Sequence, residues 1–285
     1  MDQILRLLGY EFAQNALAAG VVIALVCGIV SWFVVARNMS FAVHALSELG
    51  FTGAAGAVYL GVSTIAGLLV GTFVSAILIG ILGVRARERD TVVGVIMAFG
   101  LGLGVLFLTL YPRYATQAFA ILFGTITGVS QADVLLLVGV GILTLAALAI
   151  VYRPLMFATV DADVAAARGV PVRVLGVTFL LIMAAAVAEA VQVVGVLLIL
   201  TLLITPGATA ERLSASPGRA IAISVAVALL CVVGGILLSL AFNLPVSVFV
   251  TGLSFACYLI ARLALGPLAF GAQRSVSPML PAAPR

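Results

Sequence analysis

Apolar runs long enough to cross a lipid bilayer recur along the whole chain, and they constrain its fold more than any other feature. They fall near residues 16–36, 41–60, 61–84, 91–110, 132–152, 174–192, 195–210, 219–243 and 246–265. A hydrocarbon core about 30 Å thick is crossed by roughly 20 apolar residues in a helix. The pattern predicts an all-α, polytopic transmembrane helix bundle of about nine spans, eight or ten being the alternatives. Of the 285 residues 64% are hydrophobic and 8% charged, against the quarter usual for a soluble domain. That excludes a soluble globular protein, a disordered chain and a disulfide scaffold. A net charge of +4 gives no strong basic field, so nucleic acid is not an expected partner.

The ends and the cysteines add little chemistry. Residues 1–15 hold Asp2, Arg6 and Glu11 beside Ile4, Leu5, Leu7 and Leu8, which reads as an interfacial N-terminal helix. The run 16–36 is too long for a signal-peptide core and is taken as a retained first span. Cys27, Cys231 and Cys257 all lie in apolar runs without a C-x-x-C pair, as small buried side chains do. Residues 266–285 are rich in Pro, Ala and Ser and read as a disordered cytoplasmic tail. The transmembrane body is therefore 16–265.

Arginine sets the orientation. All 14 basic residues are arginine. With the N-terminus outside and nine spans, Arg37, Arg85, Arg87, Arg89, Arg153, Arg168, Arg173, Arg212, Arg219, Arg262, Arg274 and Arg285 fall inside. Only Arg6 and Arg113 stay outside, a strong positive-inside bias. The apolar run 115–128 is too short to cross comfortably and reads as a re-entrant segment. Counting it as a span would put Arg153, Arg168 and Arg173 outside. Gly67-x-x-x-Gly71, Gly100-x-x-x-Gly104 and Gly124-x-x-x-Gly128 let helix backbones approach in lipid. Ser130 with Asp133 opens the span at 132 as an N-cap pair.

Ionisable groups at membrane depth are costly and mark functional candidates. His44, the one histidine, lies four residues before Glu48, with Ser47 beside them. On a helix, i and i+4 share a face. At ~1.5 Å per residue Glu48 sits roughly 16 Å beyond Arg37, near the midplane. Imidazole and carboxylate are ligands for Zn²⁺ or Mn²⁺, while a mutual hydrogen bond would make them helix glue. Spacing leaves the two readings level. One His and one Glu cannot close a four-coordinate site, whereas two copies about a two-fold axis supply two of each. Glu189 and Gln192 form a second polar spot, an outer mouth for cations or a solvated headgroup residue. The balance tips slightly to solvation.

Between Tyr152 and Val174 runs the one long cytoplasmic loop. Asp161 suits an N-cap, Asp163 the first turn, and Ala165–Ala167 propagate a helix that Gly169 ends and Pro171 forbids to continue. Such a short capped helix is either a docking element or a plain connector.

Four segments then match a known family in register. Val193-Val194-Gly195-Val196-Leu197-Leu198 through Thr205-Pro206-Gly207-Ala208-Thr209-Ala210 resembles the V-V-G-V-L-L … P-A-A-T-A signature of zinc/manganese-type ABC importer permeases. Asp161-x-Asp163-x-Ala165-x-x-x-Gly169 resembles that family's D-P-E-x-A-x-x-x-G coupling helix, with Ala162 where proline is usual. Arg89-Asp90-Thr91 and Leu122-Phe123-Gly124 through Ser130 resemble two more family segments. The resemblance spans about 16–265. It implies a permease of the bacterial cell membrane that pairs with a second copy, binds a cytoplasmic ATPase through the coupling helix and takes metal from an extracytoplasmic binding protein. It also implies a metal pathway at His44, Ser47 and Glu48, where the family's D-A-L-S-H reads H-A-L-S-E. The transported divalent ion is expected to be zinc, with manganese or iron as alternatives, and no permanently bound cofactor is implied. A Walker-A loop requires lysine, which this chain lacks; ATP would be used by the partner subunit. The competing readings are an ion-coupled secondary transporter using Glu48, His44 and Glu189 as relays, and an intramembrane enzyme. The latter is disfavoured by H-x-x-x-E spacing and a single histidine.

Overall fold

The structure is a computed structural model that describes residues 10–83, 86–110, 130–242 and 244–273. Its elements, all helical among the described residues, follow as α1 (Glu11–Ala36), α2 (Ser40–Leu60), α3 (Thr64–Leu82), α4 (Ala86–Thr109), α5 (Gln131–Val160), α6 (Ala162–Ala167), α7 (Val172–Val194), α8 (Val196–Leu213), α9 (Pro217–Phe242) and α10 (Val246–Gln273). By length and composition seven are apolar enough to cross a membrane: α1, α3, α4, α5, α7, α9 and α10. Helices α2 and α8 lie outside that seven; α2 carries His44 and Glu48, and α8 carries Pro206, Glu211 and Arg212.

Local chemistry explains the ends. Helix α1 closes where Asn38 takes φ +53°. The Asn38 amide donates to the Val35 carbonyl and the Met39 amide to the Val34 carbonyl, the paired bonds of a left-handed helix stop that asparagine tolerates. Helix α5 opens on a reciprocal cap: the Asp133 amide donates to Ser130 Oγ at 3.2 Å and the Ser130 amide to Asp133 Oδ2 at 3.0 Å. Gly195, at φ +83° and ψ 162°, alone separates α7 from α8. That backbone region is almost exclusive to glycine, so the V-V-G triplet marks the break.

Helix α1 runs through the middle, contacting α2, α5, α7, α8 and α9. Phe33 is its central anchor, with ring centroids 6.0 Å from both Tyr152 of α5 and Phe179 of α7. Small and hydroxyl residues draw the other helices close. Ser224 Oγ of α9 donates to the Gly28 carbonyl at 2.6 Å. A Cβ at Gly28 would sit 2.7 Å from the Val225 Cα. Gly53 of α2 faces Gly67 and Gly71 of α3 backbone to backbone, and Thr52 donates to the Gly100 carbonyl of α4 at 2.8 Å. Both G-x-x-x-G pairs among the described residues are thus helix-packing seams.

Several boundaries differ from the expectation. Helix α5 does not end near 152; it continues through Pro154 to Val160. The expected loop is therefore a helical extension followed by α6. Leu155 and Ala158, both buried, pack the extension and offset the hydrogen bond that proline removes. Residues 11–15 belong to α1 rather than to an interfacial helix, and α10 continues to Gln273, beyond the expected limit at 265. Residues 1–9, the run 115–128 with Gly124 and Gly128, and 274–285 lie outside the described residues.

Candidate functional site

Helix α2 presents the candidate ligands on one stripe, because His44 and Glu48 are one helical turn apart. Both side chains are half-buried. The His44 ring lies beside Phe41, centroids 6.5 Å apart, and its Nδ1 is buried with no hydrogen-bond partner among the described residues. No hydrogen bond joins His44 to Glu48 there, so the glue reading lacks the bond it requires. Ser47 is 1% exposed and its Oγ donates to the His44 carbonyl at 2.8 Å, which occupies its proton within its own helix. The described residues hold no cluster of three or more His, Cys, Asp or Glu. The described residues of one chain therefore offer an imidazole and a carboxylate here and stop short of a closed site.

Helix α2 is positioned by α3, α4, α7 and α8. A cavity of about 540 Å³ between α2, α3 and α4 is lined by Leu49, Gly53, Ala57, Val70 and Phe107 among others, and by neither His44 nor Glu48. It is an apolar space without ion-binding chemistry.

Glu189 is buried inside the bundle, not solvated. It is 2% exposed and points from α7 towards α1 and α5. A Cβ at Gly141 would lie 3.0 Å from its Oε1, with Val22 and Val26 alongside at 3.1 and 3.2 Å. Both carboxyl oxygens are buried without a hydrogen-bond partner among the described residues. The expectation of solvation fails for a physical reason. Hydropathy measures distance from the end of an apolar run, whereas burial here follows from α7 continuing to Val194 and from the room Gly141 leaves. Gln192 lies on α7; its side chain is outside the described set.

At the other end of α5, Asp161 caps α6 by accepting from the Val164 amide at 2.9 Å. Gly169, φ +82°, ends it, with the Val170 amide donating to the Ala165 carbonyl at 3.0 Å. Asp161, Asp163 and Gly169 are exposed, while Ala165 is fully buried. Ala165 joins Ala158 and Leu175 in a small core of its own. The helix is therefore pinned by one alanine and offers its remaining surface outward.

Sequence reasoning missed the hydroxyl contacts. Ser31 of α1, fully buried, accepts from the Gly207 amide of α8 at 2.8 Å. No local pattern could pair residues 176 positions apart.

Comparison with known proteins places this arrangement. Residues 9–264 match the model of the ABC 3 transport family. The chain belongs to that family. It is similar to the manganese transport system membrane protein MntC of Halalkalibacterium halodurans, 30% identical over 73% of this chain and 72% of that one. It is 32% identical to the manganese import system permease protein ScaB of Streptococcus gordonii, over 82% and 84%. It is 31% identical to the high-affinity zinc uptake system membrane protein ZnuB of Buchnera aphidicola, over 84% and 92%. Among solved structures it resembles PsaBC from Streptococcus pneumoniae in complex with Fab, with TM-score 0.81, 29% identity and coverage of 92% and 94%. The protein is a multi-pass membrane permease of the ABC 3 family.

Proposed function

We propose that this permease moves a divalent metal ion inward by alternating access, with His44 and Glu48 holding the ion in transit. The observation that carries the reading is the stripe on α2: two metal-ligand side chains one turn apart, half-buried and not bonded to each other. Relatives named for manganese and for zinc transport support a borderline divalent cargo. One imidazole and one carboxylate, the same donors as in the family's D-A-L-S-H in swapped order, suit zinc and manganese alike, and zinc is the first cargo to test. Two copies of the chain about a two-fold axis supply two imidazoles and two carboxylates. Release requires modest affinity, which suits a site without thiolate.

Energy enters through α6. An ATPase subunit docking on its exposed surface would push a helix that α5 runs into directly and that α7 follows. Helix α7 packs on α2 and α3, so the push reaches the ligand stripe. This favours an ATP-driven importer over a secondary transporter, for which a pinned, outward-facing helix has no use. With α2 and α8 taken as crossing beside the seven apolar helices, nine of the described helices would span the bilayer, and with the run 115–128 not crossing the N-terminus would lie outside. An extracytoplasmic metal-binding protein would deliver the ion to that outer face.

Cells carrying His44→Ala or Glu48→Ala test the reading by uptake of zinc and manganese. We expect uptake reduced at least about ten-fold in each, since losing a ligand costs no less than losing one of the contacts that orient it. Wild-type uptake in both variants would remove the site.

A further inference from the structure

At the end of the bundle that carries α6, a cavity of about 330 Å³ opens between the α1–α2 turn, α3 and α7. It combines two chemistries. Arg37 and Arg173 line it, and so do Met39, Ile79, Val177 and Leu180. Arg37 is held in place: its Nη1 donates to Thr159 Oγ1 at 3.1 Å and its guanidinium lies 5.7 Å from the Phe179 ring centroid. Arg173 sits in the first turn of the 23-residue α7, at the positive end of the helix dipole. Glycines keep the space open. Nothing lies within 4 Å of a Cβ at Gly176, and one at Gly80 would already touch Val177 at 3.0 Å.

The apolar wall does not stop at the cavity. Next to it on α3, Ile81 and Leu82 are 61% and 55% exposed, and Val174 of α7 is 61% exposed. In a membrane-spanning helix such side chains face acyl chains. Two guanidiniums at the foot of an apolar wall, at the ends of α3 and α7 where headgroups would lie, match one kind of molecule: a phosphodiester with hydrocarbon attached. A soluble anion would use the arginines and leave the wall idle. Basic pockets between transmembrane helices on the cytoplasmic side are known to take acidic headgroups.

We propose that this cavity binds the headgroup of an anionic phospholipid. The lipid would brace the α1–α2 turn against the foot of α7, the helix that α6 leads into. The inference rests on the membrane placement of α3 and α7 and not on the cargo. Retained lipid binding with lost uptake in the His44 variants, or the reverse, therefore separates the two proposals.

The test uses the assembled transporter purified in neutral detergent, with phosphatidylglycerol, phosphatidylcholine or inorganic phosphate added. Native mass spectrometry reads retained lipid, and thermal melting reads stabilisation. The wild type should retain phosphatidylglycerol over phosphatidylcholine and gain stability only from the former. Arg173→Gln should lower that retention about five-fold, the effect of one basic residue near an anionic headgroup. Gly176→Leu fills the space without touching a charge, and should abolish the preference as well. Equal retention of the two lipids, or an undiminished preference in both variants, would overturn the assignment. Stabilisation by inorganic phosphate alone would overturn it in favour of a free-anion site. Lipid binding seen only when the ATPase is absent would give the cavity to that subunit instead.

Discussion

Ser31 illustrates how much one hydroxyl settles inside a bundle. Its Oγ accepts the Gly207 amide just after Pro206, and a Cβ at Gly207 would strike the Ser31 carbonyl. Gly207→Ala is therefore expected to destabilise the protein by about 1–3 kcal/mol through overpacking. Gly139→Ala, in open space on α5, should keep or slightly raise the melting temperature, since alanine is the better helix former. Thermal melting of the two variants side by side checks this, and a Gly207 variant as stable as the Gly139 one would disprove the close approach. At this scale the sequence was partly readable. The i, i+4 spacing of His44 and Glu48 survives intact because helix geometry alone determines it. Ser31 was invisible because its partner lies on another helix. Glu189 was misjudged because burial depends on Gly141 and Val22, which no property of its own segment reports.

Among elements, α6 is the one whose seat and surface can be separated. Its ends were readable from Asp161, Gly169 and Pro171, since caps are local chemistry. The unbroken extension of α5 through Pro154 was not, because packing of Leu155 and Ala158 overrides a local preference. Asp161→Ala should cost about 1 kcal/mol of local helix stability, as lost caps do. Ala165→Leu has a larger expected effect, because it forces three carbons into the small core with Ala158 and Leu175. We expect that variant to lose ATPase co-purification while the membrane bundle melts as in the wild type. An Ala165 variant that keeps its ATPase would show that α6 is a mere connector.

For the whole molecule, the helical architecture of the described residues followed from hydropathy, whereas the span count depends on α2, on α8 and on the run 115–128 outside the described residues. Helix α2 is less apolar than its neighbours precisely where it carries His44, Ser47 and Glu48. The nine-span, N-terminus-out arrangement places the α2–α3 turn outside and the α8–α9 turn inside. In a Cys257→Ser background, Val62→Cys should react with a membrane-impermeant thiol reagent on intact cells, and Ser216→Cys only after lysis. The reverse pattern would invert the topology and move α6 away from any cytoplasmic ATPase.

The central claim is that a carboxylate on α2 carries the ion, and Glu48→Gln tests it by removing the charge while preserving shape. The measurement is ATP-driven zinc uptake into vesicles holding the assembled transporter. The account predicts that Glu48→Gln assembles and hydrolyses ATP yet accumulates zinc at least about ten-fold more slowly, since an amide is a far poorer metal ligand than a carboxylate. Zinc accumulation at the wild-type rate would contradict it.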